Sequence, residues 1–191
     1  MILFAKIFKK LCSYFRIIFY KIISNCKIIG KPITISPCLT YGKGCVKFGN
    51  KVVLGFSEDF DFWTSYIFFN PREKNSVIEI GDDTHICNHF SAISEGPGIK
   101  IGNNVLIGAN VNIYDSDFHE INPLRRLNGE PKKEQVIIED NVWINNNVSI
   151  LKGSVIGKNS IVACGAVVCG KFPENVIIGG VPAKIIREIN E

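Results

Sequence analysis

Between Val136 and Cys169 an aliphatic residue returns at every sixth position without interruption. These residues are Ile138, Ile144, Ile150, Ile156, Val162 and Val168. Small or β-branched residues fill a second register four positions after each of the first five, at Val142, Val148, Ser154, Ser160 and Ala166. A period of six fits neither an amphipathic α-helix nor a simple alternating strand. It predicts a parallel β-helix of hexapeptide repeats, in which each coil has three short faces and stacked coils bury one continuous core.

The same period extends toward the N terminus with interruptions. It is irregular from residue 28 to 54, and an aromatic-rich stretch at 56–76 breaks it, which predicts an insertion or a pair of longer strands. The period returns at Ile80, shifts by three residues around 95–97 and continues to Ile113. Ile113 and Ile138 are nineteen positions further apart than one repeat allows, so we expect a loop at 115–135 to leave the scaffold. Loops on a rigid scaffold commonly carry function.

The C-terminal segment no longer follows the period after Cys169. Pro173, Pro182 and the pair Gly179-Gly180 indicate turns, and residues 183–190 read as a short closing helix or strand. We therefore divide the chain into three parts. These are an N-terminal helix within 1–27, a β-helix domain at 28–170 with insertions at 56–76 and 115–135, and a C-terminal cap at 171–191.

Residues 2–23 predict an amphipathic helix with a basic arc and a wide, aromatic-rich apolar face. Such a helix can lie in the interface of an anionic membrane. It can equally pack on the first coils or on a neighbouring subunit. Lysines interrupt its apolar region and no small-residue cleavage site follows, which argues against a secretory signal peptide. The chain has no run of about 18 apolar residues, which excludes a spanning helix.

Charge and cysteine content narrow the class of protein. Seven of the 22 basic residues lie in residues 1–31, where there is no acidic residue, so the rest of the chain has 15 basic against 18 acidic residues. This balance predicts no nucleic-acid surface on the body of the protein. Seven cysteines are scattered without a CxxC pair, which favours reduced thiols and a cytoplasmic protein, peripheral on the inner membrane face if the helix binds lipid.

The segment VIIEDNVWINNNVSILKGSVIGKNSIVACGAVV, followed by PENVIIGGVPAKIIREIN, resembles a known family. It is similar to the acetyl-CoA-dependent O-acetyltransferases with hexapeptide repeats, particularly the galactoside and maltose acetyltransferases and their polysaccharide-modifying relatives. The resemblance runs from about Ile80 to the C terminus. It implies an all-β, left-handed parallel β-helix, although right-handed crossovers are the general rule. It also implies a homotrimer with sites between subunits, acetyl-CoA as co-substrate and no metal.

In that family a loop histidine acts as the base, and His119 matches it in the segment DSDFH, followed by NPLRRLNG. A sugar hydroxyl is a poor nucleophile at neutral pH, so its attack on a thioester needs a group with a pKa near 7 to accept its proton, and imidazole suits. Asp117 or Glu120 could orient the ring, as could a backbone carbonyl. Asn88 aligns with an asparagine that contacts the acceptor or assists the reaction. A structural corner asparagine is the alternative.

The resemblance also implies contacts to the coenzyme. Phosphate groups call for charge-assisted bonds from basic side chains, and a pantetheine arm needs an apolar surface and backbone contacts. The matching positions are Trp143 beside the pantetheine arm, Asn146 and Cys164 for backbone contacts, Cys169 near the same channel, and Lys184 and Arg187 for the phosphates.

The implied acceptor is a sugar hydroxyl of a cell-surface polysaccharide or of its lipid-linked precursor. A small soluble sugar, an amino sugar or an antibiotic is an alternative acceptor. A zinc-dependent carbonic anhydrase on the same scaffold would need His85, His89 and His119 to converge, but residues four apart fall on different faces of a six-residue turn. A non-enzymatic β-helix scaffold is the remaining alternative, because the repeat needs no chemistry to be stable.

Overall fold

The computed structural model describes residues 2–190, which form one α-helix, three sheets and the loops between them. The helix, α1, spans Ile2–Ile23. Sheet A contains β1 (Lys27–Ile29), β4 (Cys45–Phe48), β7 (Val77–Ile80), β10 (Ile99–Ile101), β13 (Val136–Ile138), β16 (Val155–Ile156) and β19 (Lys171–Phe172). Sheet B contains β2 (Ile33–Thr34), β5 (Val53–Leu54), β8 (His85–Ile86), β11 (Leu106–Ile107), β14 (Trp143–Ile144), β17 (Ile161–Val162), β20 (Val176–Gly180) and β21 (Ala183–Glu188). Sheet C contains β3 (Cys38–Thr40), β6 (Ile67–Pro71), β9 (Ser91–Ser94), β12 (Asn112–Tyr114), β15 (Ser149–Ile150) and β18 (Val167–Val168).

The chain visits sheets A, B and C in turn, so three consecutive strands make one coil of a triangular prism. Each strand from β1 to β17 pairs in parallel with the strand three later in the chain, as β13 does with β16. Ile138 lies beside Ile156 in this register, and Ile150 lies beside Val168. One coil therefore takes 18 residues here, which is three hexapeptides. The three long edges of the prism are called the A–B, B–C and C–A edges below.

The core is the column of side chains inside the prism. The six aliphatic residues that recur from Ile138 to Val168 are no more than 1% exposed. Burial of one such side chain contributes roughly 1.5–3 kcal/mol relative to exposure. The buried serines of the second register are satisfied by backbone carbonyls, as when Ser154 Oγ donates to Leu151 O at 2.6 Å. In the N-terminal half Phe48, Phe69 and Phe90 form a column with ring centroids 5.4 Å apart.

Asparagines with positive φ turn the chain at the edges of the prism. Asn141, Asn159 and Asn175 have φ of 59°, 59° and 57° at successive A–B corners. Asparagine tolerates this left-handed conformation better than most residues, because its short amide can hydrogen-bond locally. Here the amides bond to one another, since Asn141 Nδ2 donates to Asn159 Oδ1 and Asn159 Nδ2 to Asn175 Oδ1, at 3.0 and 2.8 Å. These bonds hold successive coils in register.

Two sequence-based boundaries differ from the structure. Only residues 56–66 of the expected 56–76 insertion leave the coil, and they include a 3-10 turn at Phe60–Phe62. The strand β6 that follows is a regular member of sheet C. The boundary at residue 170 is too early, because β19 and β20 continue sheets A and B. The final coil is two residues shorter, since Phe172 lies beside Ile156, and this shortening hides the period.

The segment after β20 closes the last coil as a strand rather than a helix. β21 pairs antiparallel with β20 and forms the edge of sheet B. Of the two forms that the sequence left open for residues 183–190, the strand is the one found.

Helix α1 packs along the first coils. Arg16 donates to Phe62 O at 2.7 Å and to Ser65 O at 2.8 Å, and the rings of Tyr20 and Tyr66 are 4.9 Å apart. The opposite face of the helix carries exposed apolar side chains. Within residues 2–190 no helix combines the length and hydropathy that a bilayer crossing requires.

Candidate functional site

The loop at residues 115–135 leaves the C–A edge between β12 and β13. Its first residue, Asp115, is 0% exposed. The Asp115 carboxylate accepts hydrogen bonds from Ser94 Oγ at 2.6 Å and from the backbone N–H groups of Glu95 and Gly98, each at 2.8 Å. A buried carboxylate with three donors is well satisfied. The base of the loop is therefore fixed to the preceding coil.

A second anchor joins the loop to the following coil. Lys152 Nζ lies 2.8 Å from Asp117 Oδ1, and both side chains are largely buried. The Asp117 backbone N–H donates to Lys132 O at 3.0 Å, which connects the two ends of the loop. The other carboxylate oxygen, Asp117 Oδ2, is buried and has no hydrogen-bond partner among the described residues.

His119 lies on the surface of this loop with an exposed side chain. Within residues 2–190 no hydrogen bond to its imidazole is found. The orientation by Asp117 or Glu120 that the sequence suggested is not present in this chain. Asp117 is engaged by Lys152, and Glu120 accepts from the Ile121 N–H at 3.1 Å.

The remainder of the loop projects apolar side chains into solvent. Ile121, Leu124 and Leu127 are 71%, 93% and 84% exposed. A 3-10 turn at Pro123–Arg125 is capped by Asn122, whose Oδ1 accepts from the Leu124 N–H at 3.0 Å. An ordered loop with three exposed aliphatic residues is typical of a segment that contacts another protein surface.

Asn88 lies at the B–C edge and is fully buried. Its Oδ1 accepts from the Ser36 hydroxyl and from the Phe56 N–H at 3.1 Å, while its Nδ2 donates to Phe56 O at 2.8 Å and Asp59 Oδ2 at 3.1 Å. Both amide donors are thus used within the chain. This geometry favours the structural alternative, in which Asn88 holds residues 56–59 against the corner.

The outer face of sheet B aligns several of the expected coenzyme contacts. Trp143 lies beside Ile161, Ile161 beside Ile177, and Ile177 beside Arg187, in one row across four strands. Adjacent strands are about 4.8 Å apart, so this row is about 14 Å long. Trp143 is 46% exposed. The row presents an apolar surface that ends in a guanidinium group.

Lys184 lies beside Gly179 on the same pair of strands as Arg187. Both basic side chains are exposed. Neither has a carboxylate within ion-pair distance among residues 2–190. An apolar strip that leads to two unpaired cations fits a ligand with an extended arm and terminal phosphates, as acetyl-CoA has.

The other three expected contacts lie at two different edges. Asn146 and Cys164 follow β14 and β17 at the B–C edge, where the Gly165 N–H donates to Asn146 O at 3.1 Å. The Asn146 side chain accepts from the Ala109 N–H at 2.9 Å. Cys169 follows β18 and lies at the C–A edge, two coils beyond the base of the His119 loop. Within one subunit, Cys169 therefore lies apart from the row that begins at Trp143.

The expected site residues thus form two groups within one chain. His119 and Cys169 are at the C–A edge, whereas Trp143, Asn146, Cys164, Lys184 and Arg187 are on sheet B or at the B–C edge. The width of sheet C separates the two edges. One subunit alone does not bring the imidazole to the row that begins at Trp143.

The cysteines differ in their surroundings. All seven are free, and Cys164 and Cys169 are exposed. Burial raises the pKa of the Cys38 thiol to about 12, and burial also raises the pKa of Cys26 and Cys87. These three thiols are protonated at neutral pH and suit packing rather than nucleophilic chemistry.

The two other histidines do not converge on His119. His85 points outward from β8, and His89 lies at the next corner with φ of 57° and Nδ1 3.7 Å from Asp61 Oδ2. Among residues 2–190 no group of three or more His, Cys, Asp or Glu side chains is arranged to hold a metal ion.

Sequence reasoning missed the residues that hold the His119 loop. Asp115 directly follows β12, and Lys152 is the second residue after β15, both at the C–A edge. A polar residue within two positions of a strand end was the available signal. Arg72 and Glu95 also contact this loop, at Phe118 and Ser116. Their proximity depends on the lengths of the irregular coils between them, which the period does not give.

Comparison with known proteins gives consistent matches. A family model described as bacterial transferase hexapeptide (six repeats) matches residues 135–170. An Escherichia coli protein assigned as the lipopolysaccharide biosynthesis O-acetyl transferase WbbJ is 31% identical over 197 residues, which cover 94% of this chain and 90% of that protein. A Saccharomyces cerevisiae protein assigned as an acetyltransferase is 47% identical over 119 residues, which cover 62% of this chain and 60% of that protein. The chain thus spans less than two thirds of the yeast relative.

A solved structure agrees with these matches. The hexapeptide-repeat acetyltransferase VCA0836 of Vibrio cholerae is 32% identical, with a TM-score of 0.59, and the match covers 75% of this chain and 73% of that chain. That protein has also been solved in complex with acetyl-CoA. The fold class predicted from the sequence, a left-handed parallel β-helix of hexapeptide repeats, is confirmed.

Proposed function

The chain belongs to the hexapeptide-repeat O-acetyltransferases, and we propose that it transfers the acetyl group of acetyl-CoA to a sugar hydroxyl. The acceptor we propose is a cell-surface polysaccharide or its lipid-linked precursor. The assignment of the Escherichia coli relative to lipopolysaccharide biosynthesis supports this acceptor class. The exposed Lys184 and Arg187 at the end of the sheet B row support acetyl-CoA as the donor.

The observation that carries the proposal is the division of the site between two edges of the prism. In a threefold ring, each subunit presents one surface to the next subunit and a different surface to the previous one. We infer a homotrimer in which the His119 loop of one subunit meets the sheet B row of its neighbour. The exposed Leu124 and Leu127 would then be covered at that boundary.

In the proposed reaction His119 accepts the hydroxyl proton while the acceptor oxygen attacks the thioester carbonyl. A C–O bond forms and the C–S bond breaks. The imidazolium then returns its proton to the departing sulfur, so the products are the acetyl ester and the free thiol of CoA. Transfer is direct, within a complex of both substrates, and requires no acetylated histidine.

Thiol release with a panel of glycan acceptors tests this function. We expect acceptor-dependent release by the wild-type protein, and a loss of about 10²–10⁴-fold in kcat for His119→Ala, because a positioned general base contributes about that much. Thermal melting and native mass spectrometry of the variant establish that the fold and assembly are intact. Absence of turnover with every glycan, or an undiminished kcat in His119→Ala, would reject the proposal. Turnover confined to small soluble sugars would replace the polysaccharide acceptor.

Helix α1 supports a location of the enzyme on an anionic membrane surface. Phe15, Phe19 and Ile22, on the same helix, are 66%, 57% and 75% exposed. Lys9 and Lys10 lie on the same helix and carry the charge that anionic head groups attract. Such a location would bring the trimer to a lipid-linked acceptor.

Vesicle sedimentation separates this location from packing of the helix on another subunit. We expect the wild-type protein to sediment with vesicles containing phosphatidylglycerol and less with phosphatidylcholine alone. The double variant Phe15→Glu/Ile22→Glu should remain in the supernatant, while Ile186→Glu, at the far end of the prism, should sediment. Equal partitioning of all forms, together with a changed oligomer in the double variant, would favour subunit packing instead.

A further inference from the structure

Arg72, Glu95 and Asp115 occupy the same position on three successive coils. Each directly follows a strand of sheet C, namely β6, β9 and β12, at the C–A edge. Arg72 Nη1 lies 2.9 Å from Glu95 Oε1. The second oxygen of that carboxylate, Glu95 Oε2, accepts from the Ser116 hydroxyl at 2.7 Å. A charged column therefore runs along the edge to the start of the His119 loop.

The contacts of this column extend to Phe118, the residue immediately before His119. Ser116 Oγ accepts from the Phe118 N–H at 2.9 Å. The guanidinium carbon of Arg72 lies 4.9 Å from the centroid of the Phe118 ring, a cation–π distance. Arg72 thus contacts both the carboxylate that holds Ser116 and the ring of Phe118, while Glu95 is largely buried.

Phe118 adopts an unusual backbone conformation. Its φ is 62°, in the left-handed region that a bulky side chain rarely enters. Such a conformation persists when surrounding contacts determine it. The contacts here are the Arg72 guanidinium, which lies over the Phe118 ring, and the Tyr114 ring, whose centroid is 5.6 Å from that of Phe118. A change of φ at Phe118 would redirect the following residue, His119, whose ring has no hydrogen bond of its own among residues 2–190.

We propose that Arg72 is a positioning residue for His119, acting through Glu95, Ser116 and the Phe118 ring. This proposal rests on the proposed function of His119 as the base. In this proposal Arg72 acts on the loop and not on a substrate. Its ion pair is partly exposed, so its removal affects stability little, whereas displacement of a catalytic group by about 1 Å can lower a rate by about 10²-fold.

The test is a double-mutant cycle of Arg72→Met with His119→Ala, measured by acetyl-CoA turnover. We expect Arg72→Met to lower kcat by about tenfold to a hundredfold, with an unchanged KM for acetyl-CoA. In the His119→Ala background the same change should have no further effect, because there is no imidazole to misplace. Arg72→Lys, which keeps a cation near Glu95, should recover part of the loss. The matched control is Lys47→Met, which removes an exposed ion pair with Glu79 at 2.6 Å elsewhere on the prism and should leave kcat unchanged.

An equal loss in both backgrounds, or no loss in the wild-type background, would overturn the proposal. A separate readout does not depend on turnover. Hydrogen exchange of the Phe118 amide should become faster in Arg72→Met and remain unchanged in Lys47→Met. If the wild-type protein releases no thiol, the proposed function fails, and the exchange experiment still decides whether Arg72 orders the loop.

Discussion

The C–A edge and the outer face of sheet B satisfy their polar groups in opposite ways. At the C–A edge, Asp115 is fully buried with three donors, and Asp117 is paired with Lys152. On the outer face of sheet B, Trp143 is half exposed, and Arg187 has no acidic partner among residues 2–190. The base of the loop that carries His119 is held firmly by its own subunit, whereas the surface proposed to bind the coenzyme is open. In the trimer that we propose, the two regions work together only where subunits meet.

We expect Asp115→Asn to loosen the loop at the C–A edge most. The substitution keeps the shape of the side chain but places an NH₂ group among three donors, and an unsatisfied buried group costs about 1–3 kcal/mol. We expect faster hydrogen exchange at residues 95–98 and 115–119, and a lower kcat. A variant with unchanged exchange and full turnover would show that the loop is held in some other way.

Asn88 tests whether the B–C edge takes part in the chemistry. If Asn88 holds residues 56–59, as its four hydrogen bonds suggest, Asn88→Ala should lower the free energy of unfolding by about 1–3 kcal/mol. The kcat of the folded fraction should then fall less than tenfold. Chemical denaturation and turnover measured on the same preparation separate the two effects. A loss of about 10²–10³-fold in kcat at unchanged stability would instead assign Asn88 to the stabilisation of the oxyanion.

Substitutions on the outer face of sheet B should change the affinity for acetyl-CoA rather than kcat. We expect Arg187→Ala to raise the KM for acetyl-CoA by about tenfold, the equivalent of about 1.4 kcal/mol, because one charge-assisted contact to phosphate is lost. The variant's kcat should be nearly unchanged. Arg187→Lys is the matched control and should retain most of the affinity. Initial rates at varied acetyl-CoA distinguish these outcomes, and a fall in kcat at constant KM would remove Arg187 from the coenzyme surface.

The sequence predicts the regular part of the fold well, for a physical reason. The side chains at inward positions from Ile138 to Val168 must be apolar or small, because they form the core inside the prism. The final coil could not be predicted from the period, because it is two residues shorter and Phe172 replaces an aliphatic residue. Residues 67–71 could not be predicted in this way because Phe69 fills the core there, and aromatic residues in a row read equally well as an insertion.

The sequence predicts the candidate site less completely than it predicts the core. His119 stands out because a long loop interrupts a strict repeat and its flanking motif resembles a family. The contacts of Asn88 depend on the path of residues 56–59, which no local pattern specifies. Arg72 and Glu95 meet only because two irregular coils happen to place them one above the other at the C–A edge. Cys169 and Cys164 are five positions apart in the sequence, yet the corner geometry sends them to different edges.

Mixed trimers test the central claim most directly. At an acetyl-CoA concentration well below the KM, His119→Ala and Trp143→Ala subunits are each expected to turn over slowly, the first for lack of a base and the second for weak binding of the coenzyme. If each site combines the loop of one subunit with sheet B of the next, random reassembly at equal concentrations should restore about a quarter of the wild-type sites, because each mixed ring contains one intact boundary. Turnover that equals only the sum of the two separate variants after verified subunit exchange would contradict a site shared between subunits.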